Sequence, residues 1–455
     1  MVISSIIEAN LIFTSPLGGV GAHHAGCVTH CHSGVARRYI CYSSGTDYSG
    51  HSLQINVAYS DDKGATWTVM VIPASVGNIT KYCAMAIDKN DNIYVIWQMS
   101  TGGYFNLYIS MCDYATLTWT KLDGVTSGAN QLTSGLDCGD GVNPPEVTVD
   151  WNNVVHIGMG IASYVSISSI FYTNSTPGEM ANWPYNAFSI TPPFQVDSAS
   201  DMSADGLGPS MTVTKDNTVH FVYFGRDLNA GDVCHIGYYR SRSVTGVWST
   251  EYKFYDANFL GVCDGDGLGC VYPSIEVAPD DTLYVVFMGN ESGVTPSTNW
   301  CCCLVSKTWP AGVWSTRTWF AYDNVYGNYV PKHAIAGNNT MRILWYGTGL
   351  GVNPGVTNIY YRDYNINTGV WTPLISSNPV QLTDLAAAQY HCATFANKFR
   401  FADSGHDIAW FGLDNNACVK FYGDAVYPCY NAPLFVPSFV FENGCANKGH
   451  RIIVR

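Results

Sequence analysis

The stretch YPSIEVAPDDTLYVVFM, residues 272–288, has the pattern of a strand, a tight turn and a second strand. Ile275 and Val277 alternate with polar neighbours, as in a strand with one buried face, and the segment Pro-Asp-Asp at 279–281 has turn chemistry. Residues 283–288 are a continuous apolar run, which is typical of a strand buried on both faces. The pattern predicts a β-hairpin inside a sheet that is packed on both sides.

The same pattern recurs along the chain. Further copies lie at residues 30–42, 84–97, 146–159, 211–224, 334–345 and 393–411, and successive turns are 55 to 66 residues apart. A unit of this length has room for four strands of about 5–6 residues each and for long loops. The repeat predicts an all-β fold, a seven-bladed β-propeller of four-stranded antiparallel blades, with six blades as the alternative.

The two ends of the chain complete this prediction. The seventh unit, about residues 386–424, has only three predicted strands, whereas the apolar run 9–13 belongs to no unit. Adding that run to the last sheet would close the ring and remove an open sheet edge. We therefore expect an N-terminal closing strand (1–20), a β-propeller (21–424) and a C-terminal extension (425–455).

The octapeptide SDDKGATW, residues 60–67, joins the third and fourth predicted strands of the first unit. It resembles the Asp-box, or BNR repeat, of the sialidase superfamily, and it matches that motif at Ser60, Asp62, Gly64, Thr66 and Trp67. Tryptophans follow at the corresponding place in later units, at Trp119, Trp183, Trp248, Trp314 and Trp371. In that family the hairpin lies on the outer rim away from the ligand face, so the resemblance implies a fold rather than a chemistry.

The resemblance does not extend to a sialidase active site. That family grips the substrate carboxylate with three arginines and uses a tyrosine paired with a glutamate and an acidic aspartate. The pair Arg37-Arg38 does not match the phrase around the family's first arginine, and Arg226, Arg342 and Arg362 cannot be assigned to a triad. The sequence therefore indicates a non-sialidase member of the superfamily.

Composition limits the partners and the location. There are 22 basic and 35 acidic residues, a net charge of −13, which argues against nucleic-acid binding. No run of apolar residues is long enough for a transmembrane helix, so we expect no membrane insertion. Abundant polar and aromatic residues and 16 cysteines favour an extracellular or virion-surface protein, although the N-terminus is not a recognisable signal peptide.

The cysteines allow two interpretations. Cys263 and Cys270 flank a short loop and are a possible disulfide. Cys83, Cys234 and Cys418 lie in apolar strand patterns, where a cysteine is more simply a small core residue with a free thiol. The adjacent residues Cys301, Cys302 and Cys303 cannot all point to one face of a strand.

Three consecutive units carry an Asp-Gly motif just before their first strand, a position that reaches the functional face of a propeller. Its acidic residues are Asp140, Asp205, Asp264 and Asp266. Carboxylates on flexible glycine loops suit Ca²⁺, whereas the alternative is that Asp-Gly only makes the turn. A second cluster of possible metal ligands lies in the N-terminal segment: His23, His24, Cys27, His30, Cys31 and His32.

These observations leave two functions open. The favoured interpretation is a non-catalytic binding or structural propeller, such as a phage virion or other surface protein that recognises a glycan or cell-surface receptor or docks neighbouring virion subunits. The alternative is a carbohydrate-active enzyme, a glycoside hydrolase or a polysaccharide lyase, which would need carboxylates or a His, Tyr and Arg set at the channel mouth. No motif selects catalytic residues, and Ca²⁺ is the one cofactor expected.

Overall fold

The computed structural model describes residues 10–14, 26–32, 35–44, 54–62, 66–101, 103–135, 138, 145–162, 168–186, 194–195, 209–225, 236–255, 270–289, 301–321, 328–335, 339–347, 356–383, 389–394, 408–412 and 418–422. Regular structure in these residues is β apart from the 3₁₀ turn Pro73–Ser75 and the short helix Pro177–Met180 (α1). No described helix is long and apolar enough to cross a membrane. The predicted all-β class is confirmed.

The described strands form seven antiparallel sheets of four or five strands, numbered here in chain order. The strand Asn10–Thr14 (β1) belongs to the last of them. Sheet 1 contains Gly26–His32 (β2), Val35–Ser44 (β3), Gln54–Ser60 (β4) and Thr68–Val71 (β5). Sheet 2 contains Thr80–Ile87 (β6), Ile93–Thr101 (β7), Tyr104–Cys112 (β8), Trp119–Thr120 (β9) and Asn130–Gln131 (β10).

The chain then reaches the middle sheets. Thr133–Ser134 (β11) forms a small parallel pair with Tyr185–Asn186 (β15). Sheet 3 contains Glu146–Val149 (β12), Val155–Ala162 (β13), Ser168–Asn174 (β14) and Phe194–Gln195 (β16). Sheet 4 contains Ser210–Val213 (β17), Val219–Gly225 (β18), Ile236–Arg242 (β19) and Tyr252–Tyr255 (β20).

The last three sheets follow the same order. Sheet 5 contains Cys270–Val277 (β21), Thr282–Gly289 (β22), Cys301–Thr308 (β23) and Thr318–Ala321 (β24). Sheet 6 contains Asn328–Ile335 (β25), Thr340–Gly347 (β26), Asn358–Asn365 (β27), Val370–Thr372 (β28) and Val380–Gln381 (β29). Sheet 7 contains Gln389–Thr394 (β30), Ile408–Gly412 (β31) and Cys418–Tyr422 (β32), and β1 pairs antiparallel with β32.

The hairpin between the first and second strands has the same construction in successive sheets. The residue that opens the turn donates its backbone N–H to the carbonyl four residues later at 2.8–3.1 Å, at Asp88, Asp150, Thr214 and Ala278. The fourth turn residue has a positive φ of 59–73°, which Asp and Asn tolerate well, at Asp91, Asn153, Asn217, Asp281 and Asn339. The second strands that follow are almost wholly buried, and every residue of β22 is buried, as its continuous apolar run predicts.

The core consists of apolar layers between neighbouring sheets. Sheets 1 and 2 share one cluster around Trp97, and sheets 4 and 5 share another around Phe287. The first strands of successive sheets contact each other from β2 through β6, β12, β17, β21 and β25 to β30, and β30 also contacts β2. The first strands therefore surround a common centre, and the last sheet returns to the first.

Each sheet has two distinct ends. The hairpins between first and second strands lie at one end, here called the turn-bearing end. At the other end, the loop-bearing end, the first strands begin and the second strands connect to the third strands. Many of these connections belong to segments outside the described residues.

Candidate functional site

Buried polar groups at the turn-bearing end stabilise the fold. His156 Nδ1 lies 2.6 Å from the Tyr172 hydroxyl, and His156 Nε2 lies 3.3 Å from Asp150 Oδ2. Burial raises the pKa of Asp150, but the hydrogen bond and charge of His156 outweigh it and leave that pKa below its usual value. Such a trio could serve acid–base catalysis, but its side chains are at most 5% exposed and cannot reach a polymeric substrate.

The next sheet repeats this arrangement. His220, six residues after the start of its turn like His156, lies 3.0 Å from the Thr214 hydroxyl and 2.8 Å from the Tyr239 hydroxyl. Thr214 donates to Asp216 at 2.6 Å, so its oxygen accepts the Nε2 proton of His220. Burial lowers the pKa of His220 to about 3, and the ring is neutral at pH 7. This geometry gives both histidines a structural role.

Three arginines in the described residues are held by partners that stabilise the fold. Arg37 forms a bidentate pair with Asp61 at 2.6 and 2.8 Å and lies over the Tyr59 and Tyr114 rings. Arg342 pairs in the same way with Asp363 at 2.7 and 2.8 Å. Arg362 donates to backbone carbonyls at 2.5–3.4 Å, those of Phe320, Pro373, Leu374, Ile375 and Ser377.

These contacts decide what the arginines can do. Bidentate recognition of a substrate carboxylate requires the guanidinium fork, and in Arg37 and Arg342 the fork already binds an aspartate. Arg362 is 3% exposed and surrounded by carbonyls. None of the three is available for a sialidase-type carboxylate clamp, and Arg226 lies outside the described residues.

The loop-bearing end differs because the first strands are irregular there. Register shifts of two unpaired residues occur near the beginning of β6, β21, β25 and β30. Two of the shifted residues, Tyr272 and Val330, have positive φ values of 52° and 46°, which are unusual for an aromatic or β-branched residue. Bulges of this kind turn side chains out of the regular alternation and are frequent beside active sites.

The centre at this end also carries charge. In the first strands whose side chains the structure describes, four charged residues keep partial exposure: Lys81, Glu146, Glu276 and Lys332. Lys81 lies within the bulge of β6, and Lys332 directly follows the bulge of β25. Because the first strands surround the common centre, Glu146 and Lys332 bring one carboxylate and one cation to it. The Lys81 ammonium lies over the Phe105 ring of β8, and Glu276 lies near the turn-bearing end of β21. This end is the candidate functional site.

The predicted metal ligands cannot be placed. Asp140, Asp205, Asp264 and Asp266 lie outside the described residues, in segments that precede β12, β17 and β21, and His23 and His24 are outside them as well. Among the residues that the structure does describe, no group of three or more His, Cys, Asp or Glu side chains could hold a metal ion. The calcium site stays a prediction.

Several cysteines of the described core are free thiols. Cys83 and the adjacent Cys301, Cys302 and Cys303 are all buried and unbridged. Cys302 packs between sheets 5 and 6, whereas Cys303 packs between sheets 4 and 5, so neighbours on β23 do point to opposite faces. Cys263 lies outside the described residues, and its bridge to Cys270 stays a prediction.

The octapeptide of sheet 1 closes the hairpin between β4 and β5 at the turn-bearing end. Asp62 accepts hydrogen bonds from the Thr66 backbone N–H at 2.8 Å, the Thr66 hydroxyl at 2.6 Å and the Ser60 hydroxyl at 2.8 Å. The bonds from Thr66 lower the pKa of Asp62 to about 2. Gly64 lies outside the described residues. These contacts give the hairpin a structural role, far along the strands from the candidate site.

Comparison with solved structures links the fold to carbohydrate-active proteins. An ulvan lyase of polysaccharide lyase family PL25, solved bound to -[GlcA(1-4)Rha3S]-, is 10% identical with a TM-score of 0.54, over 91% of this chain and 95% of that chain. Another polysaccharide lyase is 11% identical with a TM-score of 0.48, over 92% of this chain and 94% of that chain. The sialidase of Trypanosoma rangeli, in complex with sialic acid, is 10% identical with a TM-score of 0.40, over 91% of this chain and 56% of that chain.

At such low identity the likeness to the ulvan lyase shows the fold alone, and that fold is a β-propeller. No protein-family model matches the sequence, and no curated protein matches it.

Proposed function

We propose that the protein is a carbohydrate-active enzyme, a polysaccharide lyase that acts on an acidic polysaccharide at the loop-bearing end of the propeller. The proposal rests on three features that occur together at the loop-bearing end: bulged first strands, residues with a positive φ, and partly exposed charged side chains. The buried polar groups at the turn-bearing end form hydrogen bonds that stabilise the fold. The likeness to a lyase over 91% of this chain and 95% of that chain supports the choice of substrate class.

The seven sheets are, in this proposal, the blades of a seven-bladed propeller. Support comes from the contact of β30 with β2, which returns the last sheet to the first, and from the pairing of β1 with β32. The hairpin of Asp62 would be an Asp-box of the sialidase superfamily, and the chain a non-sialidase member of it. Its three hydrogen bonds to Asp62 support that assignment.

Elimination from a uronate needs three groups around the sugar. A base removes the proton from the ring carbon beside the carboxylate, a cation or donor stabilises the resulting charge, and an acid protonates the departing glycosidic oxygen as its bond to carbon breaks. Lys332 can supply positive charge at the centre. The base and acid would come from the loop segments, where His23, His24, Asp140, Asp205 and Asp266 are the candidates by sequence.

A calcium ion held by Asp140, Asp205, Asp264 and Asp266 remains a proposal alongside this one. Carboxylates on three glycine loops are suitable donors for Ca²⁺, and no step of the elimination depends on the ion. An extracellular or virion-surface location also remains a proposal, supported by composition and by the polymeric nature of the substrate class.

The test is a panel of polymers: -[GlcA(1-4)Rha3S]-, alginate, hyaluronan and neutral dextran. Elimination places a carbon–carbon double bond in the uronate ring, which is measured by ultraviolet absorbance and by the mass of the fragments. We expect product from at least one acidic polymer and none from dextran. Binding without any cleavage would return the non-catalytic interpretation, and hydrolysed fragments without the double bond would identify a glycoside hydrolase.

A further inference from the structure

Sheet 2 has the shortest connection between its second and third strands. Only two residues separate β7 from β8, whereas five to eleven residues separate the second and third strands in the other six sheets. Gly103 makes this tight connection possible with a φ of +88°, and Thr101 pairs with Tyr104 directly beside it. The connection itself therefore adds little material at the loop-bearing end of sheet 2.

Aromatic and cationic side chains lie beside this short connection. Tyr104 is 36% exposed, and Phe105 beside it is partly buried. Lys81 crosses the width of β7 and places its ammonium group 4.0 Å from the centre of the Phe105 ring. We call Lys81, Tyr104 and Phe105 the sheet 2 rim. The bulge of β6 contains Lys81, so the irregularity of the first strand is what turns this lysine across the sheet.

We propose that the sheet 2 rim binds an anionic sugar unit of the polysaccharide where the polymer leaves the channel. This inference rests on the proposed function and adds a subsite to it. An exposed tyrosine ring can cover the apolar face of a pyranose, and an ammonium group pairs with a carboxylate or a sulfate.

The overall charge makes this location selective. At a net charge of −13 the surface as a whole repels an acidic polymer, so productive binding depends on local cations. Lys81 and Lys332 are the lysines on the first strands that the structure describes with side chains. The contact of the Lys81 ammonium group with the Phe105 ring restrains this side chain, which lowers the entropy lost when the ammonium group binds an anion.

The test compares two substitutions with two matched controls. Lys81→Met keeps an apolar stem against Phe105 but removes the charge, and Tyr104→Ala removes the exposed ring. Lys121→Met removes a lysine near the outer strands of the same sheet, and Tyr252→Ala removes a tyrosine that is 50% exposed on β20. Melting temperatures of all four variants verify that each is folded.

Binding is measured on the polymer -[GlcA(1-4)Rha3S]-, on its desulfated form and on neutral dextran. We expect Lys81→Met to raise Kd for acidic polymers about tenfold at low salt, with a smaller loss at high salt, and Tyr104→Ala to raise it about fivefold. The controls should stay within about twofold of the wild type. If Lys81→Met weakens binding to both acidic polymers, the carboxylate is the partner of Lys81. If it weakens binding only to the sulfated polymer, the sulfate is the partner.

Two results overturn the inference in distinguishable ways. If the wild type cleaves or binds an acidic polymer and both rim variants match it, the sheet 2 rim is not a subsite and the proposed function stands. If the wild type neither cleaves nor binds any acidic polymer, the proposed function fails and the subsite fails with it.

Discussion

Replacing His220 by glutamine tests the structural role of the buried histidines. His220 is completely buried, and its pKa falls from an ordinary value of 6.5 to about 3 because burial disfavours the charged ring. The charge of Lys307 acts in the same direction, whereas the charge of Asp216 opposes it. The folded state therefore keeps His220 neutral at pH values where the unfolded chain already binds a proton.

The sign and size of the effect follow from this difference. Between pH 6.5 and pH 3 the unfolded state binds more protons, so the contribution of His220 to stability is present above pH 6.5 and is lost as the pH falls. At pH 5 the unfolded pKa lies 1.5 units above the pH. One pKa unit corresponds to about 1.4 kcal/mol. Protonation of His220 in the unfolded state should therefore lower the free energy of unfolding by about 2 kcal/mol at pH 5 relative to pH 7.

The assay is urea denaturation of the wild type and His220→Gln at pH 7 and pH 5. We expect the substitution to lower stability at pH 7, because it disturbs the bonds to Thr214 and Tyr239, but to reduce the loss between pH 7 and pH 5 by about 2 kcal/mol. His333, whose pKa burial also lowers to about 3, is the matched comparison, and His333→Gln should act similarly. If the free energy of unfolding falls equally between pH 7 and pH 5 in the variant and in the wild type, this role of His220 is refuted.

Three further predictions concern packing and bonding. Arg362→Met should destabilise the protein by about 3 kcal/mol in thermal or urea unfolding, because it leaves buried carbonyls such as those of Phe320 and Leu374 without their donor; an unchanged midpoint would contradict this role. Gly158→Ala should cost about 1–3 kcal/mol, since an added Cβ would lie 2.7 Å from the Phe221 ring, and Phe221→Leu in the same chain should recover part of the loss. The thiols of Cys83, Cys112 and Cys303 should resist a thiol reagent in the native protein and react in denaturant without prior reduction; rapid native labelling would show that they are accessible.

The repeated hairpins could be predicted because each is encoded locally. A turn of Asp, Asn or Gly followed by an apolar run fixes both the turn and the buried second strand, as at Asp281 and β22. The unused run near the N-terminus predicted a strand that completes the last sheet, and β1 does pair with β32. Both inferences needed only the composition of short segments.

Other features depend on contacts between distant segments and were missed. The bulges of β21 and β25 carried a signal, because Pro273 and Pro331 interrupt predicted strands and proline within a sheet is confined to edges and bulges. Trp183 was expected in a closing hairpin but follows α1 instead. The contact between Lys81 and Phe105 joins two strands separated by a third, and no local pattern indicates it.

The candidate site itself was predicted only in outline. Placing it where the first strands begin follows from the propeller repeat, but Lys81 and Lys332 were not singled out, because one lysine in a strand pattern resembles any partly exposed residue. For two arginines, the residue type suggested a role that their contacts in the fold exclude. Arg342 and Arg362 were possible substrate ligands by residue type, and their aspartate and carbonyl partners became known only from the fold.

The most direct test of a polysaccharide site at the loop-bearing end is a crystal structure with an oligosaccharide of whichever acidic polymer in the panel is cleaved or bound. We expect sugar density over the beginning of the first strands, within reach of Lys332, with the polymer leaving past Lys81 and Tyr104. Sugar bound at the turn-bearing end, near Asp62 or the outer hairpins, would contradict it.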